Sequence, residues 1–190
     1  MKRLILFLVA AFCLSIHYVQ AQLPTITLKT MNGVEVRTDT LSNEGKPFIV
    51  DFFATWCKPC NRELDAISEV YEEWQEETGV KIFAVSIDQA QNINKVKPLV
   101  GNHGWEYEVL LDPNSDFLRA VGGQMIPYTL IVDGKGKVVY KHSGYTDGAE
   151  TELLFVNGIV IFKGSSINLI FVTKVSCHAW QEHIPIFIFA

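Results

Sequence analysis

Cys57 and Cys60, two cysteines separated by two residues, have the spacing in this sequence that best suits chemistry. They follow an apolar run, 48–54, and precede a segment whose apolar residues recur with helical spacing. The N–H groups at the start of a helix lack intrahelical partners and, together with the helix dipole, stabilise an anion. Since the thiolate is the attacking form of a cysteine, the pattern predicts Cys57 as an exposed nucleophile. Cys60, one turn further, would resolve the mixed disulfide.

Three neighbouring residues are predicted to tune this chemistry. Lys58 adds a positive charge that favours the thiolate, and Pro59 fits the first helical turn, where no backbone donor is needed. Asp51 stands inside the apolar run, where burial of an unpartnered carboxylate is costly and raises its pKa. We expect Asp51 to be buried and to relay a proton to Cys60. The alternative is an outward position at a sheet edge.

Ile126-Pro127 stands directly before another strand-like run. A proline in a tight turn before a strand is a candidate for a cis peptide bond. A cis bond here would expose the backbone of Ile126 to a bound substrate strand, whereas a trans proline would simply end a loop. The residues alone leave both alternatives open.

A zinc site is the main alternative use of a close cysteine pair. Structural zinc sites usually take a second ligand pair at similar spacing, and the sequence has no second pair of that kind. Its remaining cluster is Cys177-His178, with His183 five residues on. We therefore predict no metal. Of the four cysteines, Cys13 lies in the first 21 residues, which have the features of a cleaved signal peptide. The remaining close pair with one orphan, Cys177, favours redox chemistry over a disulfide framework.

The hydrophobic pattern predicts alternating strands and helices. Short runs rich in β-branched and aromatic residues predict strands at 25–29, 34–37, 48–54, 80–87, 105–111, 128–132 and 137–141. Helical spacing predicts helices from Cys60 to Gly79, over 91–101 and over 114–121, the last capped by Asn114 or Ser115. This order, with buried central strands, predicts an α/β sandwich.

The first 21 residues have the features of a secretory signal peptide. Lys2 and Arg3 form a basic start, residues 4–14 are apolar, and the motif VQA at 19–21 provides a cleavage site. The apolar segment is shorter than the ~20 residues of a membrane-spanning helix, although an uncleaved anchor formed by residues 4–14 is the alternative. The formal net charge is −5 even with Lys2 and Arg3 included, which gives no support for nucleic-acid binding.

Three stretches resemble the thioredoxin superfamily, and more narrowly its exported branch typified by TlpA and ResA. They are VDFFAT at 50–55, WCKPC at 56–60 and MIPYTLIVDGKGKVV at 125–139, and the resemblance covers roughly residues 23–154.

The resemblance implies a three-layer α/β sandwich, with a central mixed sheet and helices on both faces. It assigns Cys57 as the nucleophile, Cys60 as the resolving cysteine and Asp51 as the buried acid. It also implies that Trp56 shields the active-site face and that Pro127 is a cis-proline. Trp56, Ile126 and Pro127 would then bind the substrate.

The function implied by this resemblance is thiol–disulfide exchange outside the cytoplasm. Members of the branch often act as reductants in cytochrome c maturation or in general thiol repair, a form of antioxidant activity. The expected partners are disulfide-containing proteins and a membrane thiol-electron transporter that supplies reductant, and no cofactor is expected beyond the Cys57–Cys60 disulfide. The Lys58-Pro59 dipeptide is closer to the Gly-Pro of thioredoxin than to the His-containing pair of strong oxidants, which favours a reductant.

Two other functions use the same fold. A thiol peroxidase of the peroxiredoxin type carries Thr or Ser three residues before its cysteine, a position that Ala54 occupies here. A copper chaperone spaces its cysteines one residue wider and adds a distant histidine, for which His103 or His142 would be the candidates. The spacing of the cysteine pair favours disulfide exchange over both.

The last part of the chain departs from the family pattern. Residues 148–154 begin the expected terminal helix, but residues 155–190 are rich in Phe, Ile and Val without a helical stripe, and 155–161 is typical of a hairpin around Asn157-Gly158.

We therefore predict a signal peptide over 1–21, a thioredoxin-like domain over 22–154 and a divergent hydrophobic tail over 155–190. An altered reading frame or a truncation joined to unrelated sequence would explain this tail, and a genuine hairpin or membrane-touching tail is the alternative. In either case Cys177 is not expected to be catalytic.

Overall fold

The computed structural model describes residues 22–146 and two further strands at 153–156 and 159–162. The predicted signal peptide, residues 147–152 and most of the predicted tail, including Cys177, lie outside the described residues. Among the helices that are described, none is both long and apolar enough to cross a bilayer.

Seven strands form one sheet in the order β2-β1-β5-β4-β3-β6-β7. Their bounds are β1 Thr27–Thr30, β2 Glu35–Arg37, β3 Phe48–Phe53, β4 Lys81–Ser86, β5 Glu108–Leu111, β6 Tyr128–Val132 and β7 Val138–Ser143. The neighbours β3, β4 and β5 run parallel, whereas β6 and β7 on one side and β1 and β2 on the other pair antiparallel. The predicted central mixed sheet is therefore confirmed.

Three α-helices cover the two faces of this sheet: α1 Lys58–Thr78, α2 Val96–His103 and α3 Asp116–Ala120. Because successive side chains of a strand point to opposite faces, β3 contributes to two separate cores. Ile49 and Phe53 pack in the core on the α1 and α2 side, and Phe52 packs in the core that includes Phe117 of α3. The molecule is thus a three-layer sandwich, as predicted.

Helix α1 follows the predicted apolar stripe. Leu64, Ile67, Tyr71 and Trp74 recur at intervals of three or four residues and are all buried, which fixes the face that the helix turns to the sheet. The helix ends at Gly79, whose φ of 66° places it in the left-handed region. A residue without Cβ adopts that conformation at low cost.

Two predicted elements differ most from the structure in their bounds. The helix expected over 91–101 is a 3-10 turn, Ile93–Lys95, followed by α2. The strand expected over 105–111 begins at Glu108. Trp105 lies before that strand because tertiary contacts hold its ring: it packs edge-on against Phe53 at 5.7 Å and donates to Asp65 Oδ1 at 2.8 Å.

A separate two-stranded hairpin consists of β8 (Leu153–Val156) and β9 (Ile159–Phe162). Val156 pairs antiparallel with Ile159, as a hairpin requires, whereas the predicted turn at Asn157-Gly158 lies outside the described residues. The expectation that Leu153 and Leu154 belong to a terminal helix is wrong. Both lie in β8, where the backbone pairs with β9 instead of bonding within a helix.

The side chain that caps α3 differs from the two that were predicted. Ser115 occupies the N-cap position with φ of 55°, but neither its hydroxyl nor the Asn114 amide bonds a helix N–H. Asp112, at the end of β5, accepts from the N–H groups of Asp116 at 2.8 Å, Phe117 at 3.0 Å and Leu118 at 3.1 Å. A carboxylate reaching forward from the preceding strand thus satisfies the free donors of the helix.

Asp112→Ala is expected to lower the free energy of unfolding by about 1–3 kcal/mol, because three N–H groups at the start of α3, two of them in buried contacts, lose their acceptor. Urea denaturation followed by circular dichroism measures this difference. Asn114→Ala is the matched control and should change stability by less than about 0.5 kcal/mol. Equal losses in the two variants would contradict the assignment of the cap to Asp112.

Candidate active site

The two predicted redox cysteines meet at the start of α1. Cys57 is the N-cap of this helix and is joined to Cys60 by a disulfide, with an S–S distance of 1.97 Å. The N–H of Cys60 points at Cys57 Sγ at 3.3 Å, so this sulfur lies where the helix presents its unpaired donors. Cys57 is 5% exposed and Cys60 is fully buried. Cys57 is therefore the more accessible sulfur, although in the disulfide form it is far less exposed than the sequence suggests.

The residues flanking the disulfide form a partly apolar surface. Trp56 is 65% exposed, and Lys58 and Pro59 occupy the first turn of α1. The Ile126–Pro127 peptide bond is cis, and Ile126 packs against the core that contains both cysteines.

Met125 joins this surface, and sequence reasoning missed it. It is 63% exposed and directly precedes Ile126. The sequence does contain a signal for it. Met125 is an apolar residue next to a Pro-containing turn, and it belongs to none of the apolar patterns that predict core residues.

Asp51 lies in the middle of β3 and is fully buried. Strand β3 pairs with β4 on one side and β6 on the other, so the outward position at a sheet edge is excluded. Alternation along β3 places Asp51 on the same face as Ile49 and Phe53, which share a core with Cys60. One carboxyl oxygen, Oδ1, has no hydrogen-bond partner among the described residues.

A second buried carboxyl, Glu63, lies beside Asp51 and was missed by sequence reasoning. Glu63 follows Cys60 by three residues on α1 and is buried on the helix face that also carries Cys60 and Ile67. The Thr129 hydroxyl lies 3.1 Å from Asp51 Oδ2 and 3.2 Å from Glu63 Oε1. An acidic residue within the apolar stripe of α1 was the signal that could have revealed it.

The two carboxyls cannot both be satisfied as carboxylates by this hydroxyl. Thr129 has one hydrogen to donate, so both contacts are good hydrogen bonds only when one carboxyl carries a proton and donates to Oγ1. Consistently, burial raises the pKa of Asp51 well above its usual range, and the negative charge of Glu63 raises it further. The pair can therefore hold a proton in the core next to Cys60.

Asp51→Asn is expected to make stability less dependent on pH. A carboxyl whose folded-state pKa is raised has no burial penalty at low pH, and its contribution becomes unfavourable as the pH rises above the unfolded-state value of 3.8. The free energy of unfolding of the variant should exceed that of the wild type by about 1–3 kcal/mol at pH 8 and by less at pH 4.

Urea titrations of the oxidised protein at both pH values measure this effect. Glu69→Gln removes an exposed carboxyl from the same helix and should follow the wild-type pH dependence. If Asp51→Asn were destabilised equally at both pH values, burial would not be disfavouring the ionised form of this carboxyl.

The loop that leads from β3 to Cys57 is held by a third buried carboxylate, Asp88. Its Oδ2 accepts from the Thr55 N–H at 2.7 Å and from the Ser86 hydroxyl at 2.9 Å, and its Oδ1 accepts from the Thr55 hydroxyl at 2.7 Å. Thr55 directly precedes Trp56. Asp88 therefore ties the end of β4 to the segment that presents the tryptophan and the cysteine pair.

Asp88→Ala is expected to lower the free energy of unfolding by about 2–4 kcal/mol, since it leaves three donors without their acceptor. Hydrogen exchange should show loss of protection at the Thr55 N–H. Thr55→Val is the control: it removes the hydroxyl contact alone, should cost about 1 kcal/mol, and should keep the N–H protected. Retained protection in Asp88→Ala would contradict this role.

The two histidines considered as copper ligands have other contacts. His103 Nδ1 lies 2.6 Å from Asp65 Oδ1, and the ring of His142 stacks on Tyr140 at 6.3 Å between ring centroids. Within the described part of the chain, no three His, Cys, Asp or Glu side chains group as metal ligands.

Comparison with known proteins places this site in a family. The model of the AhpC/TSA family matches residues 19–141. Proteins named thiol-disulfide oxidoreductase ResA are similar in sequence. The one from Bacillus anthracis is 29% identical over 116 residues, 61% of this chain and 64% of that protein. The one from Geobacillus thermodenitrificans is 32% identical over 116 residues, 60% of this chain and 63% of that protein. The match thus spans less than two thirds of these relatives' own length.

Solved structures show the same fold. An uncharacterized thioredoxin-like protein from Porphyromonas gingivalis is 60% identical, with a TM-score of 0.63 over 70% of this chain and 88% of that chain. A putative thiol:disulfide interchange protein DsbE from Chlorobium tepidum has a TM-score of 0.59 over 69% and 89% of the two chains. At 21% identity, the latter supports the fold alone.

Proposed function

Because this chain belongs to the AhpC/TSA family and has a thioredoxin-like fold, we propose that it is a thiol–disulfide oxidoreductase that reduces disulfides in proteins. The observation that carries the proposal is the Cys57–Cys60 disulfide at the N-terminus of a 21-residue helix. The names of the ResA relatives support the same reaction class.

The reaction would begin from the reduced pair. The Cys57 thiolate attacks one sulfur of the substrate disulfide, forms a mixed disulfide and releases the other substrate sulfur as a thiolate. Cys60 then attacks Cys57 Sγ, so the substrate leaves as a second thiol and the Cys57–Cys60 disulfide closes. Two electrons pass to the substrate, and the disulfide of the enzyme must afterwards be reduced by an external dithiol.

The proton of the Cys60 thiol needs an acceptor in a site that excludes water. Asp51 and Glu63, which share the Thr129 hydroxyl, are the buried groups that could take it. Asp51 would act as the proton relay. The chain's own disulfide would be its redox centre, with no further cofactor.

Trp56, Ile126 and Pro127 would form the surface that receives the substrate. The cis bond turns the backbone at Ile126, next to the core that holds the disulfide. An extended substrate segment could then pair with this backbone while its sulfur approaches Cys57.

We further propose that the protein works outside the cytoplasm as a reductant. The basic, apolar and small-residue segments of residues 1–21 support export. A dithiol in an oxidising compartment needs a source of electrons, so a membrane thiol-electron transporter would be its donor. Cytochrome c maturation or general thiol repair would be its setting.

Substitution of each cysteine tests the enzymatic role. Cys57→Ser should abolish reduction of a protein disulfide such as that of insulin, because the nucleophile is lost. Cys60→Ser should accumulate a mixed disulfide with the substrate, visible as an adduct in non-reducing mass spectrometry. Cys177→Ser should retain full activity. Turnover by Cys57→Ser at the wild-type rate would refute the proposal, and faster consumption of peroxide than of disulfides would favour the peroxidase.

The reduction potential tests the direction of transfer. Equilibration of the protein in thiol buffers, with free thiols counted by a mass tag, should give a two-electron midpoint near or below about −230 mV. A midpoint near about −120 mV would instead identify an oxidant that forms disulfides.

A further inference from the structure

Trp56 stands between two open cavities that the proposed chemistry leaves unassigned. One has a volume of about 540 Å³ and the other about 690 Å³, and both are lined by Trp56 and Asn92. They therefore adjoin across these two side chains. We refer to the combined surface as the Trp56 groove; it extends from the active-site tryptophan onto the segment after β4 and onto the start of α2.

Amide side chains are the main polar lining of the Trp56 groove. Besides Asn92, they are Gln89, Gln91, Asn94, Asn102 and Asn114. A carboxamide both donates and accepts, so it can bond the N–H and C=O groups of an extended backbone without regard to the side chains of that segment. The lining thus suits a polypeptide in extended form better than a small apolar ligand.

The charged side chains that line the groove are all positive. Lys95 and Arg119 line it, and none of the described lining residues is Asp or Glu, in a chain whose formal net charge is −5. Arg119 is paired with Asp116 at 2.7 Å, whereas Lys95 has no carboxylate partner among the described residues. Lys58, exposed next to Cys57, adds a third cation on the approach to the disulfide.

Asp116, exposed and paired with Arg119, is an acidic residue beside the groove, and the exposed acids of α1 lie further from the disulfide. The first turn of α1 contains none, and exposed ones such as Glu69, Glu72 and Glu73 follow in its later turns. Among the described residues, Lys58 and Lys95 are therefore the cations near the disulfide that no carboxylate pairs. A negatively charged segment would be attracted there, and a positively charged one would not.

We propose that the Trp56 groove binds an extended segment of the substrate polypeptide that carries Asp or Glu beside its disulfide-bonded cysteine. The amides would hold the backbone of this segment, and Lys95, with Lys58 and Arg119, would select its charge. This inference rests on the proposed function and specifies its substrate class.

Two peptides that differ only at the residues flanking a single cysteine test the selection. One carries Glu at these positions and the other Lys, and each is linked through its cysteine to a thiopyridyl group. The reduced protein attacks the peptide sulfur, thiopyridone leaves with a measurable colour, and Cys60 then releases the peptide thiol. In single-turnover experiments the Glu peptide should react about threefold to tenfold faster at low salt. The ratio should shrink in 0.5 M salt, at which charge interactions are screened within about 5 Å.

Lys95→Glu should bring the ratio of the two rates to one or below, while Lys97→Glu is the matched control and should keep the wild-type ratio. Lys97 is exposed on α2 but lines neither cavity. Asn92→Ala should lower the reaction rates of both peptides by a similar factor. Each of these rates is first divided by the rate of the same variant with uncharged dithiodipyridine.

Equal rates for the two peptides with the wild-type protein, or equal effects of Lys95→Glu and Lys97→Glu on the ratio, would overturn this inference and leave the proposed function standing. Reaction of both peptides with Cys57→Ser at the wild-type rate would instead overturn the proposed function itself.

Discussion

The sulfur of Cys57 lies at the N-terminus of α1, and most of the structure serves to keep it there. A helix start offers unpaired N–H groups and a positive dipole end, which together favour a negatively charged sulfur. That advantage exists only if the helix is anchored against the sheet and if the preceding loop is immobile. The buried stripe of α1 supplies the first condition, and the hydrogen bonds of Asp88 to Thr55 supply the second.

The same constraint explains why acids occur in the core. Asp51 and Glu63 are buried beside the cysteine pair, where their ionisation is costly. A purely apolar core would be more stable, but in the proposed mechanism it could not accept the proton of Cys60. The Thr129 hydroxyl connects the two carboxyls and favours a state in which one of them is protonated. In the proposed mechanism, stability is given up where a proton must be transferred.

Buried carboxylates have a different use at the carboxyl ends of β4 and β5. Asp88 and Asp112 accept hydrogen bonds from loop and helix N–H groups that no strand or helix satisfies. These two side chains shape the edge of the sheet at which Trp56, the disulfide and the Trp56 groove are found. Their hydrogen bonds hold the backbone at that edge, where an exposed tryptophan and open cavities lie next to a packed core.

The sequence alone was sufficient for the parts of this protein that depend on local pattern. Apolar periodicity located β3 and α1, and the spacing of Cys57 and Cys60 placed both sulfurs on one helical turn. The dipeptide Asn157-Gly158 predicted a hairpin, and the strands β8 and β9 on either side of it pair antiparallel. Each of these features is decided by neighbours within a few residues, so one sequence read in order contains the necessary information.

The tertiary structure decided the contacts between segments far apart in the chain. The partnership of Asp51, Glu63 and Thr129 joins a strand, a helix and another strand. The position of Glu63, one helical turn after Cys60, indicates the buried face of α1, but the local sequence does not show which groups it meets there. The cap of α3 by Asp112, the tie between Asp88 and Thr55, and the cavities around Trp56 likewise depend on how the strands are ordered in the sheet. The apolar pattern of the sequence determines which residues are buried. Only the packing of strands and helices determines which buried polar groups meet, because hydrogen bonds require distances and angles that sequence periodicity does not specify.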